Sequence, residues 1–187
     1  MKVVEIFSSI EGEGKRAGYL CTFVRLAGCN LRCSYCDTAY AFSTEGATEM
    51  TVEEICKEVE RLGNHYVTVT GGEPLIHEHI GELLVALSKQ HEVNVETNGS
   101  INIQKIPGMP AAQLNDFRNN QGFFTVDYKC KSSGMQNTMF LPMFRNLDAA
   151  DVLKFVVGSQ EDLEDAYRVI MLAQPEAAVF FSPWGLS

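Results

Sequence analysis

Short apolar, β-branched runs alternate along this chain with stretches patterned at helical spacing. The strand-like runs cover residues 20–26, 66–70, 93–96, 123–127, 152–157 and 177–181, after an opening run at residues 1–7. Between them, Val52, Ile55, Cys56 and Val59 recur at helical spacing behind Thr51, with Glu54 three positions on as a capping box. Ile80, Leu83, Leu84 and Leu87 repeat the pattern, as do Leu163, Ala166, Tyr167 and Ile170, and all three stripes are expected to pack on a sheet as core. Such alternation predicts an α/β fold of βα units around a parallel sheet. Six strands are too few to close a full barrel. Residues 102–122 and 131–148 show weak periodicity and are rich in Asn, Gln, Pro, Gly and Met, which predicts long loops, either lids or plain surface insertions.

The 187 residues predict one domain, 1–187, large enough to bury a sizeable core. Fifteen basic against 24 acidic residues give a formal charge of −9, which repels phosphate backbones and argues against direct nucleic-acid binding. The sequence shows neither an apolar run of spanning length nor a signal segment, so a cytoplasmic protein without membrane association is expected. The six cysteines are expected to form no disulfides.

Three of those cysteines, Cys29, Cys33 and Cys36, stand at C-x3-C-x2-C within Ala27-Gly-Cys-Asn-Leu-Arg-Cys-Ser-Tyr-Cys-Asp-Thr38. A 4Fe–4S cluster ordinarily takes four thiolates, so three leave one iron open to a ligand that can be chemically changed. Structural zinc is the competing reading, but it takes four ligands, often in two knuckles, and His65, His77, His79 and His91 form no second knuckle. An electron-transfer cluster is the other alternative. It would have no use for Thr70-Gly-Gly-Glu-Pro74, where glycines admit a ligand to the backbone and Glu73 with the nearby carbonyls can accept hydrogen bonds from an ammonium. Arg25, inside a strand-like run, must be paired or functional: it suits a carboxylate or another planar acceptor edge, or a structural salt bridge to Glu11 or Glu13.

The ordered set Ser9-Ile-Glu-Gly-Glu-Gly14, Phe23-Val-Arg-Leu-Ala-Gly-Cys29, Cys36-Asp-Thr38, Thr70-Gly-Gly-Glu-Pro74 and Glu96-Thr-Asn-Gly99 resembles the 7-carboxy-7-deazaguanine synthases, a family of radical S-adenosylmethionine enzymes. The resemblance runs to about Gly185 and implies a partial, splayed (β/α)6 barrel. It also implies a 4Fe–4S cluster on Cys29, Cys33 and Cys36, and reductive cleavage of S-adenosylmethionine to a 5′-deoxyadenosyl radical. The cofactor would be met by Gly72, Glu73, Asn98, Asp127, Tyr128, Lys129, Ser182, Pro183, Trp184 and Gly185. Thr38 would anchor Mg²⁺, with a turn or helix cap as its alternative, and an ordinary surface lysine is the alternative for Lys129. A pterin substrate would meet Ile10, Glu11, Gly12, Arg25 and Thr70. The implied reaction turns 6-carboxy-5,6,7,8-tetrahydropterin into 7-carboxy-7-deazaguanine with loss of ammonia, in a homodimer supplied with electrons by flavodoxin or ferredoxin. A glycyl-radical-enzyme activase shares the cysteine spacing but leaves Ser-Ile-Glu-Gly-Glu-Gly and Cys-Asp-Thr unexplained. The family continues beyond the sixth strand with a helix and a tail bearing substrate contacts. Without matching residues here, weaker pterin binding and exposed apolar surface on the last unit are expected.

Overall fold

In a computed structural model, which describes residues 1–185, eight strands form one open sheet. In chain order these are β1 (Lys2–Ile10), β2 (Leu20–Leu26), β3 (Thr48–Glu49), β4 (Tyr66–Gly71), β5 (Glu92–Thr97), β6 (Phe123–Tyr128), β7 (Val152–Val157) and β8 (Ala178–Pro183). Their spatial order is β3-β1-β2-β4-β5-β6-β7-β8. The run from β2 to β8 is parallel and comprises the six strands expected from the sequence; β1 and the two-residue β3 add an antiparallel edge. The sheet is not closed, as the splayed half-barrel requires.

Helices cover one face of the sheet. Helix α1 (Val52–Leu62) starts at the expected capping box, with the Thr51 hydroxyl accepting the Glu54 N–H and the Glu54 carboxylate accepting the Thr51 N–H. Such a cap is worth about 1 kcal/mol. Gly63, at φ +73°, ends the helix in the left-handed region that suits glycine. Helix α2 (Ile80–Ser88) buries Ile80, Leu83, Leu84 and Leu87, as its stripe predicts. Helix α3 (Ala111–Asn119) lies inside the stretch expected to be loop. Phe117 anchors it, fully buried against Phe124, an aromatic contact that weak local periodicity does not announce.

Residues 131–148 differ from the expected lid as well. They form short 3-10 turns whose Met143, Phe144 and Leu147 are buried. Helix α4 (Gln160–Ala173) is rotated from its expected core stripe: Ala166 is buried, but Leu163 and Tyr167 are 45% and 65% exposed. Its inward side carries Asp162 and Asp165 instead. Asp162 accepts the N–H groups of Ser132 and Gly158, and Asp165 accepts from Gln136, so the helix faces inward with the polar anchors of the 131–138 segment. Met171, Leu172 and Phe181 are also exposed. Among the described residues no helix is long and apolar enough to cross a membrane.

Candidate active site

Successive side chains of a strand point to opposite faces, and here the two faces differ in chemistry. Val67 and Val69, Val93 and Val95, Phe124 and Val126, and Leu153 and Phe155 enter the helix-side core. Their neighbours Thr70, Glu96, Thr125, Asp127 and Lys154 line a cavity of about 680 Å³ on the concave face, together with Phe23 and Arg25. The cluster loop after β2 roofs the same cavity, bringing Cys29, Cys33, Cys36 and Thr38 to its wall.

Backbone contact fixes that roof. The Gly72 N–H donates to the Leu26 carbonyl at 2.9 Å and the Glu73 N–H to the Gly28 carbonyl at 2.8 Å. A Cβ on Gly71 would lie 2.1 Å from Leu26 O, and one on Gly72 2.0 Å from Gly28 O. The glycine pair is therefore required by the approach of the chain to itself, where the sequence suggested room for a ligand. Behind the loop, Ser34 N–H donates to Ser133 O and Ser34 Oγ to Ser132 O, so the 131–138 segment buttresses the cysteines.

Glu73 does not reach the cavity. It is fully buried; Oε1 accepts from Leu75 N–H at 2.9 Å and Thr97 Oγ at 2.8 Å, and Oε2 from Asn98 N–H at 2.7 Å. Burial pushes its carboxyl up, opposed by these hydrogen bonds. It is a staple between the ends of β4 and β5, and the ammonium acceptors left to this segment are backbone carbonyls. Asn98, held by that staple, donates through Nδ2 to Asn30 Oδ1 at 2.9 Å and lies 3.9 Å from Cys29 Sγ.

Three further expectations are corrected. Ile10 is 64% exposed at the end of β1 and does not line the cavity, whereas Glu11 and Gly12 do. The Tyr128 ring lies on the helix side against Phe144 and Phe155, because its neighbours Asp127 and Lys129 face inward. Gly185 follows the last lining residues, Ser182, Pro183 and Trp184, without joining them. Arg25 donates from Nε to Glu5 at 2.7 Å rather than to Glu11 or Glu13, between the rings of Phe7 and Tyr40. Thr38 precedes a 3-10 turn, but its hydroxyl donates to Asp37 at 2.8 Å and makes no cap bond, which leaves its oxygen lone pairs free.

Lys129 is no surface lysine: 14% exposed, it donates to Asp127 Oδ2 at 2.8 Å. Burial pulls its amine down, but the Asp127 charge outweighs that and holds it above the ordinary lysine range. Two residues escaped the sequence reading. Lys154 pairs with Glu13 and lies 3.9 Å from Asp127, and Glu96 accepts from Thr70 Oγ at 2.7 Å. Burial pushes the Glu96 carboxyl up. The signal for both was a charge in a strand-like run, the one that drew attention to Arg25.

The residues present suit a polynuclear cluster. Among the described residues no three His, Cys, Asp or Glu groups converge on one metal ion. Cys29, Cys33 and Cys36 line one cavity, and three thiolates fit a cubane, whose irons sit at separate corners and take one thiolate each. Two buried polar atoms of cavity-lining residues, Tyr35 Oη and Asp127 Oδ1, have no partner among the described residues, and buried polar groups of this kind call for a polar ligand.

An open parallel half-barrel with a three-cysteine loop over its polar concave face defines the radical S-adenosylmethionine class, and residues 24–116 match the Radical SAM superfamily. The chain is 44% identical over 172 residues to the 7-carboxy-7-deazaguanine synthase of Clostridium acetobutylicum, covering 90% of this chain and 74% of that one. It is 40% identical over 185 residues to that of Methanospirillum hungatei, covering 98% and 72%. The crystal structure of QueE from Escherichia coli has the same fold, with a TM-score of 0.74 at 22% identity over 100% of this chain and 84% of that one. The chain belongs to the 7-carboxy-7-deazaguanine synthase family.

Proposed function

We propose that this chain, acting as one catalytic domain, converts 6-carboxy-5,6,7,8-tetrahydropterin to 7-carboxy-7-deazaguanine with loss of ammonia. The observation that carries this reading is that cluster cysteines, the backbone of Gly71 and Gly72 and inward strand residues share one cavity in a chain 44% identical to such a synthase. Cys29, Cys33 and Cys36 hold the 4Fe–4S cluster, which with S-adenosylmethionine supplies, when bound, a radical able to take hydrogen from unactivated carbon.

The carbonyls of residues 70–72 accept the ammonium of the cofactor. Asn98, Asp127, Lys129, Ser182, Pro183 and Trp184 border its nucleoside, where Tyr35 Oη and Asp127 Oδ1 offer unpaired polar atoms. Glu11 and Gly12 flank the pterin, Arg25 takes its carboxylate, and Thr70 holds Glu96 toward its N–H edge. Thr38 anchors Mg²⁺, completed by the substrate carboxylate and water. The enclosing half-barrel excludes water from the reacting carbon.

The protein acts in the cytoplasm and takes electrons from a flavodoxin or ferredoxin. It works as a homodimer, for which the exposed Leu163, Tyr167 and Met171 of α4 offer an apolar stripe. The decisive assay mixes reconstituted protein, the tetrahydropterin, S-adenosylmethionine, magnesium and dithionite, with the deazaguanine expected by mass spectrometry. Formation of 5′-deoxyadenosine without any deazaguanine would overturn the substrate assignment.

A further inference from the structure

The connection from β1 to β2 reaches across the open sheet. Its base is closed by two backbone hydrogen bonds of 2.8 Å, Glu11 N–H to Tyr19 O and Gly18 N–H to Glu11 O. Beyond that base, three charged side chains fan out to distant strands. Arg16, 5% exposed, enters between the rings of Tyr66 and Phe123 and donates to the carbonyls of Glu92 and Val67, at the starts of β5 and β4. Lys15 donates to Ala149 O and Ala150 O at 2.8 Å each, just ahead of β7. Glu13 pairs with Lys154 of β7 and accepts the Ser182 hydroxyl of β8 at 2.8 Å.

These contacts divide into an anchor and a clasp. Arg16 is buried between two aromatic rings and does not open cheaply. Glu13 is 43% exposed on its side chain, and an ion pair open to water adds little to global stability. Lys154 also has Asp127 within 3.9 Å, so its amine keeps a partner when Glu13 leaves. The clasp can therefore release while the fold stays intact. One side of it carries Glu11 and Gly12, which flank the pterin in the functional reading above; the other is Ser182, which borders the cofactor nucleoside.

We propose that Glu13 is a positioning residue that clamps the pterin-binding segment to the edge strand bordering S-adenosylmethionine, so that the two ligands bind cooperatively. The inference rests on the assignment of that cavity to pterin and S-adenosylmethionine. Whichever ligand binds first orders the clasp, and the second finds it ordered, which is a coupling between sites and is reciprocal. Holding Glu13 ionised favours the closed form; burial would raise its carboxyl, but the Lys154 charge keeps it below the usual range.

The test has two readouts. Hydrogen exchange of residues 12–18 should slow about tenfold in the wild type when S-adenosylmethionine saturates the protein, and much less in Glu13→Gln, with cluster absorption unchanged. Calorimetry of the reconstituted wild type should find pterin affinity raised about tenfold by saturating S-adenosylmethionine, within the usual range of such couplings. In Glu13→Gln that ratio should fall towards one, while pterin affinity without the cofactor changes less than about threefold. Glu13→Asp, which keeps the charge facing Lys154 and Ser182, should retain most of the ratio. A Glu13→Gln protein that keeps wild-type coupling, or a wild type that binds both ligands independently, overturns the proposal alone. A wild type that binds S-adenosylmethionine and never the pterin overturns the functional reading and this inference with it.

Discussion

The Glu73 carboxylate accepts the Asn98 N–H at 2.7 Å and so ties the end of β4 to the end of β5 beneath the cluster loop. Its three donors are all protein groups, Leu75, Thr97 and Asn98. Glu73→Gln turns an NH₂ group toward at least one of these donors, and a buried donor left unsatisfied costs roughly 1–3 kcal/mol. We expect the urea midpoint of the apoprotein to drop accordingly, with Asn98 freed from Asn30 and Cys29. An unchanged midpoint would remove the staple from this account.

Gly72→Ala tests the approach of the two loops. The added Cβ would meet Gly28 O at 2.0 Å, a backbone atom that cannot swing aside. Destabilisation of about 3 kcal/mol and poor iron uptake are expected, in the range of severe packing faults. Gly12→Ala is the contrast, because nothing lies within 4 Å of its Cβ position. Iron content and melting temperature should stay at wild-type values there, with any change confined to pterin affinity.

Glu96→Gln should stabilise the apoprotein at neutral pH while impairing turnover. Burial raises the folded-state pKa of Glu96, so the folded chain holds this proton more tightly than the unfolded chain. Stability from this group is therefore full below the ordinary value of 4.5 and is lost as pH rises through the folded value. The variant, neutral throughout, should melt higher at pH 7 and converge with wild type below pH 4.5. A melting difference independent of pH would show that Glu96 does not titrate in this way.

Replacing Cys29, Cys33 or Cys36 by Ala should each abolish the cluster's visible absorption and S-adenosylmethionine cleavage. Cys56→Ala, on the half-buried side of α1, should leave both intact. Thr38→Ala should reduce turnover about tenfold at limiting magnesium and flatten the magnesium titration, with cofactor binding unchanged, since it removes one oxygen from a site otherwise built of substrate and water. A magnesium titration that keeps its wild-type shape would discard that role.

The six parallel strands and the position of the chemistry were legible because both depend on local patterns. Residues 152–157 form β7 with no change of boundary, and the Cys, Gly-Gly-Glu-Pro and Glu-Thr-Asn-Gly segments all sit at the ends of parallel strands. What the sequence hid were contacts between distant residues. Glu73 looked like a ligand because nothing local says that Thr97 and Asn98 will consume its oxygens. Helix α4 was misjudged by one step around its axis because Asp162 and Asp165 serve a segment about 30 positions earlier. Helix α3 depends on one phenylalanine meeting another across the layer. Lys154 and Glu96 were within reach of the rule applied to Arg25, since each interrupts an apolar strand with a charge.

The alternation along the parallel strands means that each carries two interleaved texts. One set of positions, Val67, Val69, Val93, Val95, Phe124, Val126, Leu153 and Phe155, writes the fold. The other, among them Thr70, Glu96, Thr125, Asp127 and Lys154, lines the cavity. Because neighbouring letters face opposite ways, a library randomised only at the second set could re-line the chamber for another substrate while the helix layer keeps its packing, so new chemistry can be sought here without first re-solving the folding problem.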